Sequence, residues 1–108
     1  MKNSLMVFLL LVSGSAAMAS ETSSSFTENG WTFKTKLTIE DPTSMEDPNV
    51  GPSVAKQVID WNNSSPRIKP SGFYQGTTWA CSGGLSGGSF SGNCTSDTGT
   101  KLQINGTK

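Results

Sequence analysis

From Trp31 to Ile39 the chain alternates: Trp31, Phe33, Leu37 and Ile39 fall in one phase, Thr32, Lys34, Lys36 and Thr38 in the other. A period of two over nine residues, rich in aromatic and β-branched types, predicts a strand with one buried and one wet face. The same period returns, sparsely, between Phe73 and Ile104. There Phe73, Gln75, Thr77, Trp79 and Cys81 share one phase, with Gly76 marking a weak point or bulge. Phe90, Gly92 and Cys94 are in phase in a second strand, Thr98-Gly99 makes a turn, and Leu102 and Ile104 face inward in a last strand. Leu85 sits among glycines and serines.

Between these regions, Glu40 to Pro52 repeats the tripeptide Glu-Asp-Pro and reads as an irregular acidic loop. Ser53 to Trp61 carries Val54, Val58 and Trp61 at helical spacing, with Ser53 as cap; a strand with Ala55, Gln57, Ile59 and Trp61 on one side is the alternative. Helix is preferred because Ala, Lys and Gln favour it. Asn62 to Pro66 ends it, and Ser20 to Asn29, polar and serine-rich, reads as a flexible leader with Phe26 as a docking point. The pattern as a whole predicts a mainly β fold: a small disulfide-stapled antiparallel sheet or sandwich with one short helix near 53–61.

Composition narrows the setting. Lys2, the apolar run Leu5 to Val12 and Ala17-Met18-Ala19 have the order of a secretory signal peptide over residues 1–19, with a mature start at Ser20. The run is too short to span a bilayer, which takes about 20 residues. The expected organisation is therefore a signal peptide at 1–19, a leader at 20–29 and a single domain at 30–108, secreted or periplasmic and without a membrane partner once cleaved. Residues 20–108 hold seven basic and eight acidic side chains and no basic run, which argues against a polyanion as a partner, nucleic acid included. Lys34 and Lys36 are taken as the solvated face of their strand.

Cys81 and Cys94, in an exported chain, most simply form one disulfide, with Cα atoms about 5–6 Å apart. Twelve residues between them suit a structural bridge rather than a redox pair. With no histidine, neither a zinc set nor a Ser-His or Cys-His nucleophile can be assembled. The acidic loop lacks the alternate spacing of a calcium loop. No catalytic residue, metal or cofactor is expected, and the chain is taken as a non-enzyme.

The segment CSGGLSGGSFSGNC resembles one repeat of the cyanovirin-N homology lectins, through Cys81, Leu85, Gly87, Ser89, Phe90, Gly92 and Cys94. Leu102-Gln103-Ile104 resembles the strand that follows in that family, and Val58-Ile59 with Pro70 to Phe73 the linker between its repeats. The resemblance covers about the last half of the chain, and implies glycan binding through loops on a β scaffold. The family has two tandem repeats and two disulfides, whereas this chain has one cysteine pair and adds the Trp31 strand and the acidic loop.

The residues themselves suggest a contact surface of aromatic faces, amides and hydroxyls, built from loops around Trp61-Asn62-Asn63 and the glycine-rich Ser82 to Ser91 turn. Trp61, Asn62, Asn63, Tyr74 and Trp79 are the candidate ligand-binding residues, with Gln75 beside them. Core placement competes for each tryptophan, least for Trp61, which adjoins two asparagines. Asn62, Asn63, Asn93 and Asn105 each begin an Asn-x-Ser/Thr pattern. Three roles are compatible: a binding module for a glycan or protein, an inhibitor, immunity factor or effector that blocks a target protein, and a structural or adhesive subunit. The source and oligomeric state do not follow from the residues.

Overall fold

The computed structural model describes residues 20–108; the expected signal peptide lies outside them. Eight strands and one helix follow in order: β1 (Ser20–Glu28), β2 (Trp31–Ile39), α1 (Gly51–Val58), β3 (Ile59–Asn62), β4 (Ser65–Ile68), β5 (Ser71–Tyr74), β6 (Thr77–Ser86), β7 (Ser89–Ser96) and β8 (Lys101–Thr107). The fold is mainly β, as its alternation predicts. Six strands form one antiparallel sheet in the order β1-β2-β8-β7-β6-β5, and β3-β4 form a separate hairpin. Among the described residues no helix is long and apolar enough to cross a membrane.

The alternation in β2 is the axis of the core. Trp31, Phe33, Leu37 and Ile39 point inward as expected, with Thr35 buried among them and Oγ1 bonded to the Ser24 carbonyl. Phe90 and Cys94 of β7 and Leu102 and Ile104 of β8 continue the inner face. Helix α1 covers it with Val54, Ala55 and Val58. Hairpin β3-β4 covers another part. The Trp61 ring meets Phe33 edge-on at 6.0 Å, and Trp31 Nε1–H donates to the Ser64 carbonyl at 3.0 Å.

Two glycines let this layering close by lacking a side chain. A Cβ on Gly92 would stand 2.8 Å from Ile68 Cδ1, so the Ile68 side chain of β4 would have to shift. A Cβ on Gly106 would stand 2.7 Å from the Phe33 ring. Both spacings are well inside van der Waals contact.

Three expectations need correction. Ser20 to Glu28 is not a leader but edge strand β1, matched residue for residue to β2 across the Asn29-Gly30 turn, where both residues take positive φ. Its serines do not drive burial; the backbone ladder and Phe26 do, the latter stacked on Phe33 at 5.2 Å under the Lys56 ammonium. Helix α1 begins and ends earlier than residues 53–61. Its cap position is Val50, without a side-chain cap bond; Pro52 lies in the first turn, and β3 begins at Ile59. Phe73 to Cys81 is not one strand. Gln75 and Gly76 both take positive φ and fold it into the β5-β6 hairpin, so Phe73 pairs with Thr78 on the outer face and is 70% exposed.

Cys81 and Cys94 are bonded, as expected, and directly opposite each other on β6 and β7. Their Cα atoms are 4.0 Å apart, closer than the expected spacing. Directly opposed residues approach most closely at a non-hydrogen-bonded pair. The Cys81 N–H indeed turns away from β7, donating to the Pro70 carbonyl at 2.8 Å.

Candidate functional site

The orientation of Cys81 has a consequence along β6. Backbone groups alternate sides in an antiparallel ladder. If Cys81 points its N–H away from β7, so do Gly83 and Leu85, whose N–H and C=O groups face the same side. The register with β5 ends at Ala80, so from Ser82 to Ser86 that side of β6 is an open sheet edge.

Hairpin β3-β4 overhangs this edge. Between them lies an open cleft of about 390 Å³. Gly83, Gly84 and Leu85 line one wall; Pro66, Arg67 and Ile68 line the other, with Asn62 and Ser65 at the end. Leu85 is 44% exposed although it lies on the inner face. Arg67 stands opposite Asp60 across the hairpin, yet the one ion pair among the described residues joins Lys101 and Glu40, 3.1 Å apart. The cleft thus offers a stretch of β6 edge that no other strand pairs among the described residues, a short apolar wall and a guanidinium.

The sequence candidates divide here. Asn62 lines the cleft, and Asn63, at positive φ, forms the turn beside it; both are exposed. Trp79 is fully enclosed, with Nε1–H bonded to the Tyr74 carbonyl at 3.1 Å, and offers no surface for a ligand. The rule that a small domain needs its largest apolar side chains inside prevails. Trp61 is half-buried against Phe33, its Nε1 shielded without a protein partner. Tyr74 is half-buried on the inner face, and Gln75 sits in the β5-β6 turn, its amide donating to Ser53 Oγ at 2.9 Å. The aromatic platform of the sequence reading is therefore not assembled. The expected pairing of the Asn62 region with the glycine-rich stretch is. Sequence reasoning missed Arg67 and the open edge; the edge is a property of strand lengths, visible only once β5 is seen to begin at Ser71, opposite Ala80.

A second surface is the sheet's outer face, which no element covers among the described residues. Ser25, Lys34, Asn105, Ser91 and Gly84 form one row across five strands. Ser23, Lys36, Gln103, Asn93 and Ser82 form the next. All are exposed.

No protein-family model, curated protein or solved structure matches the chain.

The acidic loop has structural work. Asp41 accepts from the Thr43 N–H at 2.9 Å and from Thr43 Oγ1 at 2.8 Å, and these bonds hold its carboxyl below the usual carboxylate range. Because folding lowers its pKa, the contribution of this turn is present above the ordinary aspartate range and lost as pH falls through the folded value. Glu46 accepts from Thr98 and Thr100, tying the loop to the β7-β8 turn. Among the described residues no group of three or more His, Cys, Asp or Glu side chains is placed to hold a metal ion.

Proposed function

We propose that the protein is an exported, non-enzymatic binding protein that captures an extended peptide segment of a partner protein in the cleft beside β6. The observation that supports this reading most is the open edge at Gly83 and Leu85, facing a cleft already walled by β4. An extended peptide can add there as a strand, its backbone completing the ladder and its side chains meeting Leu85 and Arg67. The disulfide, two residue pairs from Gly83, pins β6 to β7, which lowers the ordering cost of the contact. The role of an inhibitor or effector that blocks a target protein is the same physical act. Glycan recognition, which the resemblance to the cyanovirin-N homology lectins implies, is the second reading, favoured by the amides and hydroxyls of the outer face.

Leu85→Pro tests the edge. Proline is tolerated where a strand's N–H faces outward, so the β6-β7 ladder survives while a donor is lost and a ring blocks the approach. Peptides selected by display on the wild-type protein should lose binding to Leu85→Pro by at least about tenfold, the equivalent of roughly 1.4 kcal/mol, and Arg67→Gln should weaken those that carry a carboxylate. Undiminished binding to both variants, with circular dichroism unchanged, would refute the reading.

A further inference from the structure

The two adjacent outer-face rows contain two lysines, three amides and four serines, and no carboxylate. Two depressions lie among these side chains. One, of about 470 Å³, is lined by Ser23, Ser25, Lys34, Lys36, Gln103 and Asn105. The other, of about 200 Å³, includes Thr38, Asn93 and Lys101 and shares Lys36 and Gln103 with the first. They therefore form one continuous shallow groove from β1 to β7, along which Lys34, Lys36 and Lys101 are spaced.

The charges facing the groove are unequal. Lys101 is paired with Glu40, and Glu21 lies at the far end of the row through Thr38 and Lys101. Lys34 and Lys36 have only serines and amides as cross-strand neighbours on this face. Their ammonium groups are donors without acceptor capacity, flanked by groups that both donate and accept. A ligand that satisfies such a surface carries fixed negative charge at intervals and many hydroxyls between.

We propose that this outer face is a second binding site, for a linear acidic polysaccharide lying across β1, β2, β8 and β7, with Lys34 and Lys36 meeting its anionic groups and Gln103 and Asn105 its hydroxyls. The site is independent of the cleft, because Leu85 and Arg67 lie elsewhere. It uses side chains that a solvated sheet face does not need in this order: the lysines adjoin in one strand while every neighbour across the ladder is uncharged.

Calorimetric titration of the exported protein with polygalacturonate, dextran sulfate and neutral dextran tests it. The carboxylated or the sulfated polymer should bind, more weakly as salt rises, and neutral dextran should not. Lys34→Gln with Lys36→Gln should weaken binding by at least about tenfold, since hydrogen bonds to a charged group are stronger than neutral ones. Gln103→Ala, which leaves the charge intact, should weaken it less but measurably. Leu85→Pro should leave it unchanged. Equal binding of neutral dextran, no binding of either acidic polymer, or affinity unaltered in the double lysine variant would each overturn the proposal; so would preference for single-stranded DNA over both acidic polymers.

Discussion

Trp79→Ala should cost the protein a large part of its stability. Trp79 is fully enclosed near the start of β6, and its ring N–H donates to the Tyr74 carbonyl. Removing a buried tryptophan costs about 3–5 kcal/mol, and the lost hydrogen bond adds about 0.5–1.5 kcal/mol. The total stability of a domain this size is only about 5–10 kcal/mol. Urea denaturation followed by far-ultraviolet circular dichroism measures it. Trp79→Phe retains most of the burial and loses the hydrogen bond, so its transition should fall between wild type and Trp79→Ala. A Trp79→Ala protein as stable as wild type would mean that the ring does not sit in the core.

Breaking the bridge should have the second large effect. The disulfide spans 13 positions of sequence, and closing a loop of that order stabilises by roughly 3 kcal/mol in the chain-entropy model. Cys94 is also a buried core residue between Phe90 and Leu102. Cys81→Ser with Cys94→Ser should therefore lower stability by about 2–5 kcal/mol, and reduction of the native protein should do nearly the same. Its reach should include the cleft, because β6 beyond Cys81 is held on one side only, by β7. Denaturant midpoints with and without reductant provide the measurement; coincident midpoints would show the bridge to be ornamental to stability.

The legible parts of the fold were those whose signal is local. The alternation of β2 announced its inner face, and the phases of Phe90 with Cys94 and of Leu102 with Ile104 announced theirs. β1 was not legible because SETSSSFTE holds a single large apolar residue, Phe26, and no apolar alternation; it is a strand because β2 offers a backbone ladder across a tight turn. The β5-β6 hairpin was hidden because Gln75 is not a residue whose positive φ can be anticipated. Read without that turn, Phe73 and Trp79 share a phase; with it, one is exposed and the other enclosed. Of the candidate site, Asn62 and the glycine-rich stretch were found and do meet across a cleft. Arg67 carried no local signal, being one basic residue in a short connector.

The claim that β6 accepts a strand is tested most directly by amide hydrogen exchange, measured residue by residue on the exported protein alone and with a display-selected peptide. The outward-facing amides of Gly83 and Leu85 should exchange fast in the free protein and slow at least about tenfold on peptide addition, the size of change that a new ladder hydrogen bond of roughly 1.4 kcal/mol produces. Slow exchange at both positions in the free protein, or protection on binding that appears elsewhere and leaves them unchanged, would contradict it.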